Sequence, residues 1–190
     1  MAGVRRFDEA ETLRRALDVF GDRGFRTTSM IDLAAGTGVQ RGSLYHAYGG
    51  KEEIFLLVFA RYADQFLAGA AESLDRPGAR AALLAFFDFC VDTITRGEPS
   101  RGCLSTRTAI DAATESPRVA AALRGMLDDL ETVVRHRLAA VDAAELAVDP
   151  AAAARLVVTT TRGLAVMERL RHTPAELRDI ARALVESLVR

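Results

Sequence analysis

Several residue types are scarce in this chain of 190 residues, which has no tryptophan, a single lysine (Lys51) and only two cysteines. Cys90 and Cys103 lack the spacing of a zinc motif and no histidine is near them in sequence, so we expect no metal site and no cofactor. Two buried free thiols are the simpler interpretation. No run of 18 apolar residues and no signal-type segment is visible, which predicts a soluble, cytoplasmic protein.

The charge balance excludes a polyelectrolyte that binds nucleic acid over its whole surface. The net charge is −1, and residues 1–51 carry eight basic and six acidic side chains, a local excess of only +2. Any contact with nucleic acid must therefore come from a small patch. The composition is 49% hydrophobic and only 6% aromatic, and its abundant alanine, leucine and arginine favour helix over strand.

Capping signals predict an all-α fold of about nine helices. Asp8 and Ser29 each precede an acidic residue by three positions, which is a capping-box spacing. Ser116, Asp149 and Thr173 each precede a proline, another helix-start signal. With the apolar periodicity, these signals place helices between Asp8 and Gly24, between Ser29 and the Gly36–Gly38 pair, and over about 40–48, 51–73, 79–96, 103–114, 117–141, 150–171 and 174–189.

Residues 28–51 have the layout of a helix-turn-helix, in which a glycine turn joins two short helices. Val39 and Leu44 supply the inner face of the second helix. Its outer face carries side chains suited to DNA. Arg41 can pair with guanine and Gln40 with adenine, Ser43 and Tyr45 can donate to phosphates, His46 lies beside them, and Gly42 permits close approach to the groove.

Two helix starts in this region are candidate phosphate sites. Lys51 opens the fourth helix, where its charge and the free backbone N–H groups would attract an anion. Thr28 and Ser29 do the same at the start of the second helix. The alternative is that these residues only cap helices and that Arg41 and His46 are ordinary surface side chains.

The pattern Phe20…Gly24-Phe25…Thr28-Ser29-Met30…Asp32-Leu33-Ala34…Gly38-Val39…Gly42-Ser43-Leu44-Tyr45-His46…Tyr48…Lys51-Glu52 resembles the N-terminal domain of the TetR family of transcriptional regulators. Tyr48, where phenylalanine is usual, and Gly50, where a polar cap is usual, depart from that pattern. The resemblance implies nine helices, a homodimer and a ligand pocket in the C-terminal part. It implies DNA contacts by Gln40, Arg41, Gly42, Ser43, Tyr45, His46 and Lys51.

We accordingly expect a helix-turn-helix DNA-binding domain at residues 1–52 and a helical ligand-binding and dimerisation domain at residues 53–190, joined rigidly through helix 4. Helices 8 and 9 are amphipathic and are the candidate dimer interface, with ordinary packing within one chain as the alternative. The predicted interface residues are Leu156, Leu164, Met167, Leu177, Ile180, Leu184 and Leu188. A pocket is expected among helices 4–8, with apolar walls from Phe59, Phe66, Phe86, Phe89 and Met126 and polar groups from Cys103, Arg107, Thr160 and Arg162. Core packing is the alternative for the phenylalanines, and surface ion pairs are the alternative for the arginines.

The leading functional hypothesis is a ligand-responsive repressor that binds a palindromic operator in double-stranded DNA as a homodimer. The alternative is a thiol-based sensor of oxidants or electrophiles that acts through Cys103, which lies near Arg101 and Arg107. An enzyme using a cysteine with His136 or His172 is disfavoured because no catalytic spacing or glycine-rich phosphate loop is present. A helical scaffold without DNA binding is disfavoured by the intact set from Gln40 to Lys51.

Overall fold

The computed structural model describes residues 7–97, 100, 102–112 and 116–190. Within that part of the chain the protein consists of nine α-helices and one 3-10 helix, with no strand, so the predicted all-α class is confirmed. The helices are α1 (Glu9–Arg23), α2 (Met30–Thr37), α3 (Arg41–Tyr48), α4 (Lys51–Leu74), α5 (Gly78–Ile94), α6 (Leu104–Ala112), α7 (Pro117–Ala139), α8 (Pro150–Arg169) and α9 (Pro174–Leu188). The predicted end of helix 6 near residue 114 lies outside the described residues, as do residues 98, 99 and 101 before that helix.

The predicted capping residues begin the helices as expected. The Asp8 carboxylate accepts a hydrogen bond from the Glu11 N–H, 3.1 Å away. Ser29 opens α2 with a reciprocal capping box, and Thr173 opens α9 in the same way. These bonds satisfy backbone donors that a helix leaves free in its first turn, which explains why local sequence identifies these starts so well.

Two glycines at the end of α2 have different roles. Gly38 adopts a left-handed conformation with φ of 73° and closes the helix by donating to the Ala34 carbonyl. Gly36 lies inside α2, where an added Cβ would stand 2.2 Å from Cγ2 of Val19 in α1. The prediction that both glycines mark the helix end is therefore wrong for Gly36, which the close packing of α2 on α1 requires.

Helix α4 connects the N-terminal helices to the rest of the protein. It packs on α1 and α5, and along α7 from its first turn, where Glu52 pairs with Arg118, to its end, where the Leu74 carbonyl accepts from Arg137. The Phe55 ring lies 5.0 Å from Phe20 of α1 and 5.4 Å from Phe59, so one aromatic core spans the junction. By length and composition α4 could cross a membrane, but its apolar face is buried in this core.

Candidate nucleic-acid interface

The short helix α3 is held by one face only. Leu44 is fully buried beneath it, and Val39 packs half-buried at its start. Gly49, with φ of 88°, ends the helix by donating to the Tyr45 carbonyl. This anchoring leaves the opposite face of α3 directed away from the protein, as a recognition helix requires.

The outward face of α3 carries the predicted DNA-contacting residues. Gln40, Arg41, Gly42 and His46 are exposed, Tyr45 is 49% exposed, and Ser43 is half-buried. Among the described residues, the side chains of Gln40, Arg41 and His46 have no hydrogen-bond or ion-pair partner. Their polar groups are thus free to meet base edges or phosphates.

Gly42 is not required by the fold. An added Cβ there would meet no heavy atom within 4 Å, whereas at Gly36 it would collide with α1. Glycine in a helix costs about 0.5–1 kcal/mol relative to alanine. The absence of a side chain at Gly42 therefore has no structural benefit within the chain and suits close approach by an external partner.

The structure corrects one predicted contact at the start of α2. Thr28 is only 2% exposed, and its hydroxyl donates to the Gly24 carbonyl over 2.6 Å, so this side chain is unavailable to DNA. Ser29 is exposed, but its hydroxyl donates to the Asp32 carboxylate at 2.6 Å. Hydrogen bonds from the Ser29 hydroxyl and backbone hold the pKa of Asp32 below its usual value. Ser29 remains a predicted phosphate contact.

The Lys51 side chain is not free to bind an anion, although the sequence predicts it to be. Its ammonium donates to the Phe25 carbonyl at 2.9 Å and the Arg26 carbonyl at 3.4 Å, and lies 4.5 Å from the centroid of the Phe25 ring. The side chain therefore ties α4 to the loop between α1 and α2. No side chain caps the start of α4, so its backbone N–H groups are still available to a phosphate.

Tyr48, one of the two departures from the family pattern, is partly buried and packs against the core. Its ring centroid lies 6.2 Å from that of Phe7, and its buried hydroxyl has no hydrogen-bond partner among the described residues. Burial raises the pKa of this phenol. The Tyr48 side chain thus packs inward and does not belong to the outward face of α3.

A polar cluster surrounds Cys103 at the start of α6. The Arg162 guanidinium of α8 donates to the Ser105 hydroxyl at 2.5 Å and lies 3.7 Å from the Cys103 sulfur. The Ser105 oxygen is 3.1 Å from the same sulfur, and the Tyr62 hydroxyl lies beside both residues. The sequence did not indicate Ser105 or Tyr62, although Tyr62 shares a helical stripe with Phe66.

The two thiols differ in acidity. Burial raises the pKa of Cys103, but the Arg162 charge and hydrogen bonds from Ser105 and Thr106 outweigh it, so the pKa lies below the usual thiol value. Burial raises the pKa of Cys90. Both cysteines are free and buried, as predicted. Arg101, expected near Cys103, lies outside the described residues.

The structure contradicts two of the predicted pocket walls. Phe59 is 1% exposed and Phe86 is fully covered, so neither faces a cavity, and the prediction is wrong for both. They belong to the aromatic core, where Phe86 packs at 5.6 Å on Phe87. Phe66, Phe89, Met126 and Thr160 remain predictions. Arg107, expected in the pocket, donates to the Gly21 carbonyl of α1 at 2.5 Å.

A cavity of about 430 Å³ lies at the junction of the N-terminal helices with the rest of the protein. It is lined by α1, α4, the segment after α5 and the start of α6 and is open to solvent on one side, and none of the nine predicted ligand residues lines it. Among the described residues, no group of three or more potential metal ligands is present.

Helices α8 and α9 expose only part of the predicted dimer surface. Leu164, Leu177 and Leu188 are buried within their own chain, so the prediction that they meet a partner is wrong. They occupy the inward stripes, along which α8 and α9 pack on α5 and on one another. On the outward side, Leu156 is 46% exposed, Met167 37% and Ile180 41%, while Leu184 is half-buried. Val166 and Leu170 are also exposed and extend this surface.

A three-helix unit that presents α3 outward, followed by a larger helical unit, defines a helix-turn-helix protein of the regulatory type. Residues 13–58 match the model of the bacterial regulatory proteins of the tetR family, and residues 79–184 match the tetracyclin repressor-like C-terminal domain. The chain belongs to the TetR family of transcriptional regulators. The relatives that it resembles are regulators and not enzymes.

Individual relatives agree with this assignment. The chain is 32% identical over 139 residues to the uncharacterised HTH-type transcriptional regulator YezE of Bacillus subtilis, covering 73% of this chain and 72% of YezE. A cysteine mutant of the regulator CifR, solved with a 26-bp operator, has a TM-score of 0.85 at 26% identity, covering 98% of this chain and 100% of CifR. The reduced form of Escherichia coli NemR shares the fold at 17% identity with a TM-score of 0.84, covering 95% and 96% of the two chains.

Proposed function

We propose that this regulator is a cytoplasmic repressor that binds a palindromic operator as a homodimer and responds to a small-molecule effector. The observation that carries the proposal is the outward face of α3. There, Gln40 and Arg41 have no partner among the described residues and Gly42 leaves the helix surface open. The CifR relative was solved on operator DNA, which supports the same mode of binding here.

A homodimer follows from the need to read two half-sites. One recognition helix reads one half-site, and a pair reads two that are about 34–36 Å apart or a multiple of that distance. The exposed stripe of Leu156, Met167 and Ile180 is the proposed contact between copies. Gly163 lies on the same side of α8, and an added Cβ would meet nothing within 4 Å, which allows close approach of a partner helix.

The DNA-binding proposal is tested with Arg41→Ala and a matched control. An operator is first recovered by selection from genomic fragments, and binding is measured by fluorescence anisotropy. If Arg41 reads a guanine, its loss weakens binding by about 1–3 kcal/mol and relaxes preference at one base pair. Arg135→Ala, at an exposed arginine of α7, should leave affinity unchanged. Wild-type affinity in Arg41→Ala would refute the assignment of Arg41.

The dimer is tested by placing a charge in the exposed stripe. Ile180→Glu should give a monomer in sedimentation analysis and lose operator affinity, because a carboxylate would be buried without a partner. Leu57→Glu is the control, since Leu57 is 44% exposed but lies on α4. A dimeric Ile180→Glu protein would contradict the proposed interface.

A second candidate function is thiol sensing, favoured by the Arg162–Ser105–Cys103 cluster. A cationic neighbour that lowers a thiol pKa increases the thiolate fraction at neutral pH, and thiolate is the reactive form. Two CifR structures that resemble this chain are of cysteine mutants bound to operator DNA. Here, an oxidant or electrophile would modify Cys103 and change operator affinity.

Thiol sensing is tested by alkylation with iodoacetamide followed by mass spectrometry. The alkylation rate of Cys103 should rise with pH around a midpoint below the usual thiol value, because its pKa is lowered. Cys90 should react more slowly, because its pKa is raised. Cys103→Ser should abolish any effect of the reagent on operator binding, while Cys90→Ser should preserve it. An unchanged response in Cys103→Ser would exclude this function.

A further inference from the structure

The cavity at the junction of α1 with the C-terminal helices has the features of a ligand site. Its volume of about 430 Å³ falls within the usual range for small-molecule pockets. Leu17 and Gly21 of α1, Tyr62 of α4 and Leu104 of α6 form its mainly apolar wall. The cavity therefore has room for a compact apolar molecule in contact with both parts of the protein.

The charge available at this cavity is positive. Arg96 lines it and, among the described residues, makes no hydrogen bond or ion pair. Asp18 also lines it, but its carboxylate is already bonded to the Arg14 guanidinium at 3.0 Å. Thr93 adds a hydroxyl near Arg96, although that hydroxyl donates to the Phe89 carbonyl. An occupant with one negative group would thus find an unused guanidinium.

The position of the cavity connects it to the recognition helix. Arg107 of α6 donates to the Gly21 carbonyl of α1, so the two walls are directly bonded. Helix α1 packs on α2, and α2 packs on α3. A molecule that separates or tightens α1 and α6 would therefore shift the unit that carries α3, which is the kind of differential contact that coupling between two sites requires.

We infer that this junction cavity binds a small, mainly apolar monoanion, such as an organic carboxylate or sulfonate, and that this molecule is the effector of the proposed regulator. The regulatory consequence rests on the proposed function. The inference that the cavity binds such a molecule does not rest on the proposed function, because binding to the cavity can be measured without DNA.

The site is tested with two fluorescent probes that share an aromatic body. One is 8-anilinonaphthalene-1-sulfonate, and the other is N-phenyl-1-naphthylamine, which has no charge. Wild-type protein should bind both probes saturably, with one site per chain. Arg96→Gln should lower the affinity for the sulfonate about two- to fivefold, as expected for the loss of an exposed ion pair, and leave the affinity for the neutral probe unchanged.

Filling the cavity gives a second, independent readout. Gly21 is helical and an added Cβ would meet nothing within 4 Å, so Gly21→Phe places a ring in the cavity without a backbone clash. This variant should bind both probes at least tenfold more weakly than the wild type. Gly125→Phe is the matched control, because Gly125 on α7 is equally open and does not line the cavity. Leu17→Trp fills the cavity from the same helix if Gly21→Phe fails to fold.

Two results would overturn the inference. Wild-type probe binding by folded Gly21→Phe or Leu17→Trp would place the probes elsewhere, for example on the exposed stripe of α8 and α9. An equal loss of affinity for both probes in Arg96→Gln would show that the site has no preference for an anion. Failure of the protein to bind any operator would refute the proposed function but leave these titrations interpretable.

Discussion

Gly42→Ala separates the requirements of folding from those of DNA binding. The added methyl group meets no atom within 4 Å in the free protein, and alanine is the better helix former. Because glycine within a helix is less favourable than alanine, we expect the free energy of unfolding to rise by at most about 0.5–1 kcal/mol. For a protein of this size that gain raises the melting temperature by about 1–4 °C.

The same methyl group should oppose operator binding. If Gly42 faces the floor of the groove, one extra carbon at a close-packed contact costs about 1–3 kcal/mol. That cost corresponds to an affinity loss of about 5- to 150-fold. The expected signature is therefore a more stable protein that binds DNA less tightly, which is the reverse of ordinary damage by mutation.

The assay pairs thermal unfolding with anisotropy titrations of the selected operator at fixed salt. Gly125→Ala is the control, since Gly125 is equally open but lies on α7, so it should gain similar stability and keep full affinity. Equal operator affinity in the two variants would refute the reasoning that α3 approaches DNA at Gly42.

Two further predictions concern packing and capping. Gly36→Ala should lower the free energy of unfolding by about 1–3 kcal/mol despite the better helix former, because its methyl group overlaps Val19, and Val19→Ala should restore part of the loss in urea titrations. A more stable Gly36→Ala protein would contradict the close contact of α1 and α2. Glu145→Ala removes the carboxylate that accepts from the Ala79 N–H at 2.7 Å near the start of α5, so we expect a loss of about 0.5–2 kcal/mol in the same titration. Glu186→Ala, at an exposed glutamate of α9, should change little, and equal values for the two glutamate variants would show that the Glu145 contact adds nothing.

The parts of the structure predicted well from sequence depend on short-range chemistry. Asp8, Ser29 and Thr173 bond to N–H groups three residues away, so their neighbours in sequence determine the helix starts. The outward face of α3 could be predicted for the same reason, because Val39 and Leu44 define the inner side of a short helix. The family pattern added the expectation of a second helical unit.

The predictions that failed depend on contacts between distant elements. Lys51 bonds to carbonyls about 25 residues earlier, and no local pattern shows where a long side chain will turn. Apolar stripes on α8 and α9 do not reveal which residues face their own chain, so the sequence pattern wrongly places Leu164 and Leu177 against a partner, although both are buried in their own chain. The junction cavity arises where four chain segments meet, and helical periodicity along one segment cannot locate it.

The central claim is that two copies of α3 occupy two major grooves on one face of DNA. Methylation interference at guanine N7 on the selected operator tests it most directly, because N7 lies in the major groove. The account predicts two symmetric groups of interfering guanines whose centres are about 10–10.5 base pairs apart or a multiple of that spacing. The guanine with the strongest interference signal should lose that signal in Arg41→Ala. A single patch, or a pattern unchanged by Arg41→Ala, would contradict it.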